Sequence, residues 1–277
     1  MSAARTIAWA LVAVGMGIGT LADRVPKRAP LVLGGYRVLA GDFHAHPAPL
    51  SGSTLGPWDL AQQAAREGLD VIAITPQNGA LAGRVARWTA ERAGGPIVIP
   101  GEELHGPRYH LIALGASYLS WRLSARDAID AVHRDAGVAI AAHPVARYWP
   151  AYDSETARKL DGAEVAHPIV EWKPEFAGEL QEFWQRSGAA AIGSSDWHGL
   201  GPVGRFRTWL FVREASAAGV LEAIREHRTV ALHGDRVYGD PALVGFAPQL
   251  PGAPEWPSPA GGVCVVVGLA ALILGRR

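Results

Sequence analysis

The chain has 277 residues, of which 49% are hydrophobic, enough for one large core or two small ones. Its 26 Lys and Arg balance 26 Asp and Glu, which argues against a nucleic-acid-coating protein, whose surface would be basic. The single cysteine, Cys264, excludes both an intramolecular disulfide and a cysteine-built zinc cluster, so a transition metal must be held by His, Asp and Glu.

The first 30 residues read as a signal peptide or N-terminal membrane anchor. Thr6 to Ala22 is an uncharged run of about 17 residues, near the lower limit for a span. It is a signal peptide cut after Ala22, an uncut anchor, or a buried core helix. Short apolar strands and helices then alternate. Strands are predicted at Tyr36–Gly41, Val71–Thr75, Ile97–Pro100, Tyr109–Leu114, Val138–Ala142, Ala163–Ala166, Ala189–Ile192 and Thr208–Val212. Helices are predicted at Trp58–Glu67, Ala80–Ala93, Ser124–Ala136, Glu179–Ser187 and Ala217–Glu226. This alternation over 31–240 argues for a parallel α/β fold. Residues 241–260 are rich in Pro and Gly and read as a linker. Residues 261–277 form an apolar tail of about 15 residues closed by Arg276 and Arg277, a short membrane segment with a cytoplasmic stop. With both ends in a membrane, the domain between them is expected on the extracytoplasmic side.

The ionisable residues fall at strand ends. His44 and His46 follow the first strand, Glu103 the third, and Asp196 and His198 the strand near Ile192. His110 opens a strand and His143 ends one. In a parallel barrel such positions converge on one mouth. In extended backbone, residues two apart face the same way, so His44 and His46 can address one ion, as can Asp196 and His198. One such pair is weak evidence. Two pairs with a strand-end Glu and two further histidines point to a metal site.

These motifs resemble a family. Gly41-Asp42-Phe43-His44-Ala45-His46, Pro100-Gly101-Glu102-Glu103, Tyr109-His110-Leu111, Ala142-His143-Pro144 and Gly193-Ser194-Ser195-Asp196-Trp197-His198 are similar, in order, to the motifs of the PHP (polymerase and histidinol phosphatase) superfamily. Asp161-Gly162-Ala163-Glu164-Val165 and the stretch Glu222 to Val230 resemble best its CehA/McbA-like metallohydrolase branch. The resemblance implies a distorted, roughly seven-stranded β/α barrel and metal-assisted hydrolysis, usually of phosphoesters. It implies that His44, His46, Glu103 and Asp196 hold a first divalent ion (Zn, Mn or Fe). Glu103, His110 and His143 would hold a second, with Glu103 between them and a shared hydroxide as nucleophile. His198 is a further ligand, a supporting hydrogen-bond donor or the proton donor to the leaving group, and Arg205 a clamp for an anionic substrate or a rim ion pair.

The sequence departs from the family at Thr75-Pro76-Gln77-Asn78, where Gln77 stands in place of a histidine. It departs again near Gly52, where an aspartate is missing. Two ions, not three, are therefore expected. Asp42 is expected to support a ligand or cap a turn, Glu102 to face solvent, and His105 and His167 to be minor candidates. The leading reading is a phosphoesterase acting on a small phosphorylated or ester substrate. The alternatives are a carbamate or amide hydrolase on the same ions, and a degenerate accessory module. No specific nucleic acid or protein partner is expected.

Overall fold

The computed structural model describes residues 3–22, 29–48, 51, 53–199, 202–233 and 235–251. The chain divides into two units, one of Met1–Arg28 and Pro254–Arg277 and one of Ala29–Ala253. In the first, helix α1 spans Ala3–Ala22. Among the described residues no helix is long and apolar enough to cross a membrane. The expected N-terminal anchor or signal peptide therefore gains no support. The expected tail at 261–277 lies outside the described residues.

The second unit is an α/β sheet curled toward closure. Its strands are β1 (Leu31–Leu33), β2 (Tyr36–Asp42), β3 (Val71–Ile74), β4 (Ile97–Gly106), β5 (Tyr109–Leu114), β6 (Val138–Ala141), β7 (Gly162–Ala166), β8 (Ala190–Gly193), β9 (Thr208–Val212), β10 (Thr229–His233) and β11 (Arg236–Gly239). Its helices are α2 (Pro57–Arg66), α3 (Leu81–Ala93), α4 (Ala125–Arg134), α5 (Ser154–Ala157), α6 (Ile169–Trp172), α7 (Phe176–Ser187), α8 (Ala217–Arg225) and α9 (Pro241–Val244). The strands run in the order β11-β10-β9-β2-β3-β4-β5-β6-β7-β8, with β1 added on β2. Strand β8, at one end of this order, meets β9 through a side chain rather than a ladder. Thr208 Oγ1 accepts from Gly193 N at 2.9 Å and donates to Gly193 O at 3.0 Å. A Cβ on Gly193 would lie 2.5 Å from Arg207 O, so only glycine permits this approach.

The helices follow their local chemistry. Pro57 opens α2, where its missing N–H costs nothing. Ser124 caps α4 by accepting from Asp127 N, and Ala125, Ala128, Ile129 and Val132 turn one stripe inward. Strands β3, β6 and β8 are buried at every residue, as expected for strands covered on both faces.

The sheet departs from the all-parallel expectation. Pairs β2–β3, β3–β4, β6–β7 and β7–β8 are parallel, whereas β5 runs antiparallel to both β4 and β6, and β9 antiparallel to β2. The reason is local: β4 and β5 are joined by a hairpin at Pro107-Arg108, with Arg108 at φ 64°, too short a link for a parallel crossover. Strand β4 is accordingly longer than expected and carries Glu103 within it. The stretch expected as a linker from 241 begins as folded structure. Leu243 and Leu250 are buried in the same core cluster as Val38, and Phe246 packs against it.

Candidate metal centre

Two loops bring the x-separated pairs together. Ala45 and Trp197 form a parallel bridge, with His46 N donating to Trp197 O at 2.9 Å and Trp197 N to His44 O at 3.3 Å. Because side chains alternate in extended backbone, the flanking residues of both segments face one side. His46 Nε2 then lies 3.0 Å and His44 Nε2 3.2 Å from Asp196 Oδ1. Asp196 itself has φ 45° and His143 φ 26°, backbone conformations uncommon for these residues that turn their side chains into the cluster at the strand ends.

Glu103 occupies the middle. A second bridge, between Gln77 and Glu103, fixes its backbone. Its Oε2 lies 3.6 Å from His44 Nε2 and 3.5 Å from His46 Nε2. Its Oε1 lies 3.1 Å from His110 Nδ1 and 3.2 Å from His143 Nε2. His110 reaches the same mouth because β5 runs antiparallel and so begins there. Tyr152 Oη holds that strand start by donating to His110 O at 2.7 Å.

Asp42 is the buried keystone beneath. Its Oδ1 accepts from His44 N at 3.2 Å and Ser195 N at 3.1 Å, and its Oδ2 from Gly204 N at 3.0 Å and from the Ser195 hydroxyl. It ties the His44 and Asp196 loops together, as expected of a residue that supports a ligand. Burial pushes its carboxyl up to about 6, against those hydrogen bonds.

Two residues that the sequence left aside belong to the site. Glu164, fully buried on β7, accepts from His44 Nδ1 at 3.0 Å and from His143 N at 2.6 Å. It fixes the His44 tautomer with the Nε2 lone pair directed into the cluster. Its signal in the sequence is a lone carboxylate in an otherwise apolar strand. His105 lies 2.6 Å from Glu103 Oε2 through Nε2 and stacks on His110 at 4.0 Å between ring centroids. Its signal is the two-residue spacing from Glu103 along a strand longer than the sequence indicated.

Four groups of side chains can each hold an ion with ligand atoms mutually within 4.8 Å: His44, His46 and Glu103; Glu103, His110 and His143; His46, Asp196 and His198; and His44, His143, His167 and Asp196. Burial works against Glu103 and Asp196 ionising, but the surrounding imidazoles, His44 foremost, outweigh it and hold both carboxyls well below their usual range. Burial likewise works against a charge on His44, but Asp196, Glu164 and Glu103 raise its pKa well above the usual imidazole value. Burial lowers His46 and His110. Three carboxylates around His44 call for positive charge among them, and a metal ion would supply it at the nitrogen a proton would otherwise take. His44 Nε2 is buried without a hydrogen-bond partner among the described residues, which fits a metal-directed lone pair. The donor set of imidazoles and carboxylates suits zinc, manganese or iron.

The other expected residues lie farther out. His198 is 42% exposed, stacks on His46 at 4.1 Å, and its Nδ1 lies 2.9 Å from Asp196 O. Arg205 is half-exposed and pairs with Glu171 at 2.7 Å, so the rim ion pair describes it better than a clamp already over the cluster. Glu102 does point away from Glu103's partners but does not face solvent. It is buried, and its Oε1 accepts from Leu119 N at 2.7 Å because the 115–120 loop folds over it. Gln77 is exposed, with its N donating to Ser51 Oγ at 3.3 Å. Gly52 lies outside the described residues.

A model of the PHP-associated family matches residues 178–229, the segment that carries Asp196 and His198. The fold is similar to that of a two-domain protein from Bacteroides vulgatus containing a predicted PHP-like metal-dependent phosphoesterase, at TM-score 0.64 and 21% identity over 80% of this chain and 73% of that one. A lesser likeness joins it to a lesion-specific endonuclease from Pyrococcus furiosus, at TM-score 0.43 and 13% identity over 72% of this chain and 57% of that one. No curated protein matches. The family model covers residues 178–229 alone, and the likeness to the Bacteroides protein is one of fold.

Proposed function

We propose that the chain is a metal-dependent hydrolase, and more closely a phosphoesterase, whose centre holds two divalent ions. The observation that carries this reading is the position of Glu103. Its two oxygens face two different histidine pairs, His44 with His46 and His110 with His143. One carboxylate so placed would partly neutralise two cations held on either side of it. Ions held there supply Lewis acidity, which brings the ionisation of water near neutrality and stabilises developing oxyanion charge. His44, His46, Glu103 and Asp196 would hold the first ion, and Glu103, His110 and His143 the second. Glu164 orients His44 through its Nδ1 proton. The half-exposed His198 holds or delivers a proton at Nε2. The Bacteroides vulgatus protein, which contains a predicted PHP-like metal-dependent phosphoesterase, shares the fold on which this reading builds. The CehA/McbA-like branch remains our closest assignment from the motifs.

The test is metal analysis of the purified chain after reconstitution with zinc or manganese, followed by hydrolysis of bis(p-nitrophenyl) phosphate, p-nitrophenyl phosphate and a p-nitrophenyl carbamate. Two ions per chain with turnover of a phosphoester is the expected result. Turnover of the carbamate alone would move the assignment to carbamate hydrolysis. Two ions with no turnover would make the centre an accessory module.

A further inference from the structure

We propose that His167 is a positioning residue of the metal centre: a buried N–H donor, not a ligand, that holds Asp196 by Oδ2 and leaves Oδ1 free for an ion. The proposal rests on the metal-centre reading above. His167 directly follows β7, opening the short connection to α6, and is buried. Its ligand atom falls within 4.8 Å of those of His44, His143 and Asp196, so by proximity alone it looks like a fourth ligand. Its other nitrogen decides against that. Nδ1 lies 3.1 Å from Ile169 N. A backbone amide can only donate, so Nδ1 must accept and carries a lone pair. The neutral ring then has its proton on Nε2, and a nitrogen that bears a proton cannot coordinate an ion.

Nε2 is fully buried and has no hydrogen-bond partner among the described residues. Two carboxylate oxygens are near it, Asp196 Oδ2 at 3.6 Å and Glu164 Oε2 at 3.7 Å. Glu164 Oε2 already accepts from His143 N at 2.6 Å. Asp196 Oδ2 is the acceptor left for it, while Oδ1 faces His46 and His44 at 3.0 and 3.2 Å. At 3.6 Å the contact is just too long for a hydrogen bond, and a small rotation of the Asp196 side chain closes it. An unpaired buried donor favours that rotation. The ring cannot readily turn over instead. Doing so would replace Nδ1 by a carbon beside the Ile169 amide, and the ring is packed 5.1 Å from that of His143. Asp196 thus has one oxygen assigned to the protein and one to the ion.

The experiment combines imidazole nitrogen-15 NMR of the wild-type chain with zinc titrations of wild type, His167→Gln and His167→Ala. The His167 signals are assigned by their loss in the variants. The expected spectrum shows a protonated, pyrrole-type Nε2 and a pyridine-type Nδ1, both before and after zinc is added. In the titrations, His167→Ala should bind zinc about 10–100-fold more weakly, the range typical for loss of a group that orients a ligand. His167→Gln, whose amide N–H can reach the place of Nε2, should recover most of that loss. A proton on Nδ1, or loss of the Nε2 proton on adding zinc, overturns the proposal by making His167 a ligand. So does His167→Ala binding zinc as wild type does. If His167→Ala fails to fold, the wild-type spectrum and the His167→Gln titration still decide. Failure of the wild-type chain to bind zinc overturns the metal-centre reading itself, and with it the role of His167 toward an ion.

Discussion

Glu164 Oε1 lies 3.0 Å from His44 Nδ1, and both side chains are completely buried. The carboxylate has no access to water, so its worth is in what it orients: the His44 tautomer and, through Oε2, the His143 backbone. Glu164→Gln keeps the volume but brings an amide donor against one of two donors already there. Affinity for the first ion should fall about 10–100-fold, measured by zinc titration. Wild-type affinity in this variant would mean that His44 is held by its neighbours alone.

Glu103→Gln should weaken both ions together, because its two oxygens serve two histidine pairs. His46→Ala should weaken mainly the first ion and His143→Ala mainly the second. Metal content of the three proteins, prepared side by side, checks this. If Glu103→Gln keeps two ions and near wild-type turnover, Glu103 is not the group between them.

Much of this centre was legible as strand-end chemistry. His44, His46, Asp196 and His198 needed only the two-residue period of extended backbone, and the structure brings all four to one side of the Ala45–Trp197 bridge. What escaped was set by strand direction and length. Where β4 stops cannot be read from its own residues, because its last residues are held by pairing with β5, and so His105 looked like a loop residue. Glu164 was not singled out as a site residue and His167 only as a minor candidate, because burial of a charged or polar side chain is visible only once the other strands are in place. The fate of Glu102 was likewise decided by a loop 17 residues away in sequence.

Glu102 gives a pH-dependent prediction. Burial raises its carboxyl to about 7 from 4.5, against the hydrogen bond from Leu119 N. In the folded state it therefore keeps a proton that the unfolded chain has released over the window from about 4.5 to about 7. The unfolded state binds fewer protons there, so stability falls as pH rises through the window. Glu102→Gln stays neutral and removes that fall. One pKa unit corresponds to about 1.4 kcal/mol, so the variant should gain several degrees in Tm over wild type between pH 5 and pH 8. Its metal content should not change. A Tm difference that is flat with pH would show that Glu102 does not titrate in this range.

His198 tests what the half-exposed edge of the centre does. Its Nδ1 sits 2.9 Å from the Asp196 carbonyl oxygen, which can only accept, so Nδ1 carries a proton. Nε2 is then free to hold either an ion or a second, transferable proton. The two roles differ in their dependence on the leaving group. A proton donor matters most when the departing oxygen is strongly basic and little when it leaves readily as an anion. His198→Ala should retain two ions. Its loss in kcat should grow with the basicity of the leaving group, from near nothing for p-nitrophenolate toward about 100-fold for an alkoxide. Turnover across a series of phosphodiesters with graded leaving groups measures this directly. A uniform loss across the series, accompanied by loss of an ion, would instead make His198 a metal ligand with His46 and Asp196.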